Sequence, residues 1–215
     1  MPRSALTLPR LHVVTDDSVL ALPDFPVRAG EVLTSGAAAV ALHLRGAAVS
    51  GGALHALGME LLEVAARSGA LLVINDRVDV AMALAAEAVH LGARSLPASR
   101  VRRLVAPGVL VGVSIHGPGE VASEDPVDYL FAGPVYPTAS HPGGPGRGAG
   151  WLTRMVEVHA GTPVVAIGGI TPARVGEVMG AGAAGVAAIR GVWQATDPGA
   201  AVACYLEAMT GSDHE

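Results

Sequence analysis

Polar residues in this 215-residue chain fall in a pattern: short apolar runs are each followed at once by a group suited to chemistry. The run 11–15 leads into Asp16. The run 40–44 carries His43 and is followed by Arg45, and 71–75 ends in Asn75 with Asp76 behind it. His90 lies in the run 88–91, and 110–114 ends in Ser114, with His116 just beyond. The last three runs, 128–132, 163–168 and 185–189, close on Gly133-Pro134, Gly168-Gly169 and Arg190-Gly191. An arginine fork clamps a phosphate in two places at once, and a histidine moves protons near neutral pH. Glycines let backbone N–H groups approach phosphate oxygens closely. The set suits a phosphorylated small molecule that gains or loses a proton.

Each residue taken alone has a plainer reading. Asn75 and Asp76 could cap the next helix, His90 could be a hydrogen-bonded core histidine, and Gly168-Gly169 could be a tight turn. Their conjunction at successive run ends favours a site. The sharpest local signal is Ala166 to Pro172, an apolar run passing through two glycines into a Thr-Pro helix start, with Ile189-Arg190-Gly191 one unit later. Gly168, Gly169, Ile189, Arg190 and Gly191 are therefore expected to bind phosphate. Residues 134–149 form a long Gly/Pro-rich stretch, which at a site reads as a lid. Its Thr138, Ser140 and His141 are expected to contact substrate or carry protons. Among the histidines, His116 and His141 are best placed for acid–base work, with His43 a third candidate.

These residues need a scaffold that brings run ends together. The runs have strand length, and Ala/Leu/Val-rich segments of helical period separate most of them. In one, Leu54, Leu57, Leu61, Val64 and Ala65 share a face opposite Glu60, Glu63 and Arg67. Gly69 and Gly182 stand where helices should stop, and Thr171 where one should start. Eight strands, each followed by a helix or helical turn, predict a (β/α)8 TIM barrel, in which every strand's C-terminal end faces one mouth. The open doubly wound alternative lacks its glycine fingerprint, since Thr15-Asp16-Asp17-Ser18 follows the first strand. One compact domain over 1–215 is expected.

Composition narrows the function further. With 51% apolar and 15% charged residues the chain is not disordered. A net charge of −5 and 3% aromatics argue against a nucleic-acid partner. The single cysteine excludes an internal disulfide framework. All 14 basic residues are arginine, so lysine Schiff-base chemistry and the standard P-loop are excluded. No signal peptide or membrane span is legible, and a cytoplasmic location is expected. The sequence leaves the oligomeric state open, a homo-oligomer included.

Over nearly its full length the chain resembles the thiamine-phosphate synthase/TenI family. The segments that carry the resemblance are Leu11-His12-Val13-Val14-Thr15-Asp16, His43-Leu44-Arg45, Ile74-Asn75-Asp76-Arg77, His90-Leu91-Gly92, Gly112-Val113-Ser114-Ile115-His116, Gly133-Pro134-Val135-Tyr136-Pro137-Thr138 and Ala166-Ile167-Gly168-Gly169. The resemblance implies a barrel holding a thiazole phosphate, with Arg45, Asn75, Ser114, Thr138 and Ser140 on the substrate. Synthases of the family join that thiazole to a pyrimidine pyrophosphate with Mg²⁺, whereas TenI-type members tautomerise a thiazole carboxylate phosphate. This chain departs on the pyrophosphate half. Ala47 and His141 stand where synthases carry lysines, and Ser95 stands where they carry a magnesium-binding aspartate, leaving Asp76 as a weak or vestigial metal ligand. The expectation is therefore a cofactor-free tautomerase, with a Mg²⁺-dependent synthase and a non-catalytic binder of the thiazole phosphate as alternatives.

Overall fold

A computed structural model describes residues 7–122, 125–138 and 144–211. Eight parallel strands close into a barrel in sequence order: β1 (Leu11–Val14), β2 (Val40–Leu44), β3 (Leu71–Asn75), β4 (Ala88–Leu91), β5 (Leu110–Ile115), β6 (Tyr129–Ala132), β7 (Val164–Ile167) and β8 (Gly185–Ala188). β8 pairs back onto β1 through Leu11 and Val186, so no strand edge is left exposed. Each strand lies within about one residue of its sequence expectation.

Nearly every strand residue is buried, and the two-residue side-chain period divides them into two layers. The outward set, including Leu11, Val13, Leu42, Leu44, Ile74, Val89, Leu130 and Val186, joins the main hydrophobic cluster beneath the helices. The inward set fills the barrel. It is apolar at Val14, Tyr129, Phe131, Val165 and Ala187, and again at Ala41, Leu71, Val73 and Ala88. Three buried histidines, His12, His43 and His90, complete it. Runs buried on both faces show no polar alternation, which is why the strands read as continuous apolar segments.

The outer ring is α1 (Asp17–Leu20), α2 (Phe25–Gly36), α3 (Gly51–Ser68), α4 (Val78–Ala83), α5 (Ala98–Val101), α6 (Ala149–Val158), α7 (Pro172–Gly180), α8 (Arg190–Trp193) and α9 (Pro198–Gly211). Ser50 caps α3 by accepting from the Ala53 N–H at 3.2 Å, and Gly69 ends it in the left-handed region at φ +78°. Gly182 turns the chain after α7 at φ +92°. Thr171 occupies the N-cap position of α7, but its side chain makes no capping bond. One expectation fails here: β5 and β6 are joined by turns, with no helix among the described residues. α1, α4, α5 and α8, one or two turns long, are helical turns of the expected kind. A barrel of this length saves chain in such connections. Asp16 serves α1, its carboxylate accepting from the Val19 N–H at 3.0 Å and from Ser18 at 2.6 Å. No helix among the described residues is long and apolar enough to cross a membrane.

Candidate active site

The C-terminal strand ends surround a cavity of about 940 Å³, within the usual size for a small-molecule site. All eight strands or the residues just after them reach it, from Val14, Arg45 and Asn75 round to Phe131, Ile167 and Ala188. Among the described residues four arginines line it, Arg45, Arg77, Arg94 and Arg190, against one carboxylate, Asp76, and Arg77 is paired with Asp79. A mouth so unbalanced in charge attracts polyanions.

The residues expected to bind phosphate come together at one side of the cavity. Gly168, Gly169, Ile189, Arg190 and Gly191 all line the cavity. Gly168 and Gly169 have φ +102° and +64°, values that an L side chain rarely adopts. A Cβ on Gly169 would also fall 2.6 Å from the Pro137 carbonyl and 2.8 Å from the Tyr136 Cβ. The glycine pair therefore seats the base of the 134–138 segment as well as facing the cavity. Backbone bonds fix that base: Val135 and Tyr136 donate to the Ile167 and Gly168 carbonyls, and Arg147 and Gly148 to that of Val135. The 168–170 and 189–191 loops are braced from behind. Trp193 Nε1 donates to the Val14 carbonyl and Tyr205 to that of Ile170, both at 2.8 Å. Gly191 leaves the space that Tyr205 fills.

The opposite side is polar. Asp76 adopts φ +60°, an uncommon value for a non-glycine residue that is concentrated at functional sites. Its Oδ1 accepts from the Gly92 N–H at 2.9 Å and the Ser95 hydroxyl at 2.5 Å, and Asn75 bonds His43, so neither residue caps α4. Among the described residues no group of three His, Cys, Asp or Glu side chains gathers for a metal. One carboxylate suits Mg²⁺ only in its substrate-bound form, with phosphate oxygens and water supplying the rest of the shell.

Two hydrogen-bonded chains run from the barrel interior to this mouth. In one, His12 Nδ1 meets His43 Nε2 at 2.8 Å, and His43 Nδ1 meets Asn75 Oδ1 at 2.9 Å. In the other, Tyr129 meets His90 Nδ1 at 3.2 Å, and His90 Nε2 meets Ser114 Oγ at 2.9 Å. Burial, reinforced by the mutual repulsion of their charged forms, holds His12 and His90 well below the ordinary histidine range, and burial brings His43 down to about 4. All three are neutral at physiological pH.

The structure sorts the expected site residues. Arg45, Asn75, Asp76, His90, Ser114, His116 and Thr138 line the cavity with the phosphate loops. His43 does not: it is fully buried behind Asn75, which corrects its expected role as a proton-transfer group. One position short of the end of β2, its inward ring bonds sideways to His12 and Asn75 and does not face the mouth. His116 is half-exposed at the rim, its Nδ1 3.7 Å from Glu120. Ser140 and His141 lie outside the described residues. Arg77 went unnoticed as a cavity residue, as did the interior partners His12 and Tyr129. The signal for the latter pair was available, since both sit at inward strand positions.

Residues 11–192 match the family model described as thiamine monophosphate synthase. A thiamine biosynthesis bifunctional protein ThiM/ThiE of Symbiobacterium thermophilum is 46% identical over 147 residues, 67% of this chain but 31% of that protein. A thiamine-phosphate synthase of Methanoculleus marisnigri is 38% identical over 187 residues, 85% of this chain and 86% of that protein. Among solved structures, a thiamine phosphate pyrophosphorylase from Pyrococcus furiosus superposes with a TM-score of 0.81 at 30% identity, covering 94% of this chain and 96% of that one. By the extent of these matches, the chain belongs to the thiamine monophosphate synthase family.

Proposed function

We propose that the protein is a transferase that joins a thiazole phosphate to a pyrimidine carrying a diphosphate, releasing pyrophosphate. The observation that carries this reading is the lining of the cavity, which has separate phosphate-binding features on opposite sides. The glycine loops and Arg190 would take the thiazole phosphate; Arg45, Arg77 and Arg94 would take the diphosphate. The relatives named as synthases at 38% identity and above support the same choice over the isomerase expected from the sequence. In the reaction, the bond between the pyrimidine's carbon and its diphosphate breaks as the bond to the thiazole forms, and the leaving group departs with the electron pair. Fixed guanidinium groups at the departing oxygens stabilise that charge. Asp76 would hold Mg²⁺ bound to the diphosphate, and the ion would neutralise part of its charge. The lid, bonded to the Gly168 loop at its Val135–Tyr136 end and closed on Val135 at its Arg147–Gly148 end, would exclude water that could otherwise capture the activated carbon.

The test is turnover of a thiazole phosphate with a pyrimidine pyrophosphate, followed by release of pyrophosphate. Joined product supports the proposal; its absence in the presence of Mg²⁺ overturns it. A second reading, tautomerisation of a thiazole carboxylate phosphate, is favoured by one observation, the half-exposed His116 on the cavity wall. Proton exchange with that compound alone would establish it. Binding without either reaction would identify a non-catalytic protein.

A further inference from the structure

A serine 2.9 Å from a histidine nitrogen, with that histidine's other nitrogen also bonded, has the outline of an activated nucleophile. Proton accounting in the barrel gives the opposite polarity. Tyr129 is fully buried, and the hydrogen bond found for its hydroxyl is to His90 Nδ1. A buried phenol that accepted there would leave its own proton without a partner, which costs about 1–3 kcal/mol. Burial also raises the Tyr129 pKa, so the phenol keeps its proton. Tyr129 therefore donates, and Nδ1 of His90 accepts. Neutral imidazole has one N–H, and it must then sit on Nε2, facing Ser114. The serine oxygen accepts that bond and its own proton turns toward the cavity it lines.

The strand register shows why these three groups can meet. His90, Gly112 and Tyr129 are cross-strand partners in one row over β4, β5 and β6. Gly112 lies between the other two, and a Cβ there would fall 2.1–2.5 Å from the Tyr129 ring. The missing side chain opens the path by which the phenol crosses β5 to reach His90. Ser114 stands two residues further along β5, on the same inward face and nearer the mouth.

We propose that Tyr129 and His90 are positioning residues that hold Ser114 as an obligate hydrogen-bond donor to the ligand and bar it from acting as a base-activated nucleophile. The ligand group that meets Ser114 is accordingly an acceptor, a heteroaromatic ring nitrogen or a phosphate oxygen, and not an electrophilic carbon. The assignment of that group to a substrate rests on the transferase reading; the polarity of the chain does not.

Two measurements test the proposal and separate it from that reading. Nitrogen NMR of the full chain, labelled with ¹⁵N-histidine, reports which ring nitrogen of His90 carries the proton, with His90→Gln supplying the assignment. A proton on Nε2 is expected, and one on Nδ1 overturns the proposal whatever the enzyme does. The second is a double-mutant cycle on joining activity. Tyr129→Phe keeps the ring and should lower kcat roughly tenfold, because His90 can then carry its proton on Nδ1 and its Nε2 takes the serine proton away from the ligand. In a Ser114→Ala background the same change should cost nothing further. Additive losses would mean that Tyr129 acts only through packing, and would overturn the positioning role. If the wild-type protein joins nothing, the transferase reading fails while the nitrogen spectrum still decides the polarity. Thermal unfolding of both variants confirms that they fold.

Discussion

At the scale of single residues, the proposed phosphate site combines two kinds of group. Arg190 carries a side-chain charge, whereas the glycine loops present backbone groups. Arg190→Gln should weaken thiazole phosphate binding by about tenfold, the value of one lost charge-assisted bond, and leave the unphosphorylated thiazole unaffected. Calorimetry with the two ligands checks this, and equal losses would show that Arg190 shapes the pocket instead. The opposite wall has one carboxylate with two hydrogen bonds on a single oxygen. The ligand-free protein should therefore bind Mg²⁺ weakly, and Ser95→Asp should strengthen binding by about tenfold by adding a second hard oxygen ligand. A titration showing tight Mg²⁺ binding before substitution would overturn the single-carboxylate account.

At the scale of elements, the Gly168-Gly169 turn packs against the base of the 134–138 segment. Because a Cβ at Gly169 would meet the Tyr136 and Pro137 segment, Gly169→Ala should displace that base and strain the backbone, at about 1–3 kcal/mol. Both thiazole phosphate affinity and melting temperature should fall, the latter by about 2–4 °C per kcal/mol. A loss of affinity with unchanged melting would restore a purely ligand-facing role for the glycine. Element positions were legible before the structure because parallel barrel strands are apolar on both faces and their helices keep one apolar stripe, as Leu54, Leu61 and Ala65 do. The strand-end rule then located Arg45, Asn75, Ser114 and the glycine loops, since fold and site share one geometry. It misplaced His43 because a histidine one position short of the strand end can bond sideways within the barrel, as His43 does to His12 and Asn75. It passed over Tyr129 because an aromatic residue in an apolar strand looks like packing, and only the register with Gly112 and His90 reveals its reach. The missing helix after β5 was not legible either, since the turns there follow no hydrophobic period.

At the scale of the whole molecule, a barrel interior containing three neutral histidines ties stability to pH. His12, His43 and His90 are buried, and burial is the main cause of their depressed pKa values. Unfolded, each titrates near the ordinary value of about 6.5. Above that pH, folded and unfolded chains are both neutral at these positions and stability does not vary with pH through them. As pH falls below it, the unfolded chain takes up protons that the folded barrel refuses, so stability drops with acidification. Each histidine contributes up to about 1.4 kcal/mol per pH unit, until pH reaches its folded pKa, about 4 for His43. Asp16 and Asp79, whose pKa values are lowered by hydrogen bonds from Ser18 and Arg77 among other contacts, act in a separate window. Their contribution is lost only below the ordinary carboxylate range. Melting temperature should therefore be level from pH 8 to about 7 and fall steeply towards pH 5. His12→Phe removes one of the three proton acceptors and places a ring beside Tyr129 and Phe131, which the imidazole already contacts at centroid distances of 5.5 and 5.1 Å. Its acid slope should be shallower than that of the wild type, even if the lost bond to His43 lowers its stability at pH 8. A wild-type melting temperature unchanged between pH 7 and 5 would mean that the interior histidines are protonated in the folded barrel, against the burial that surrounds them.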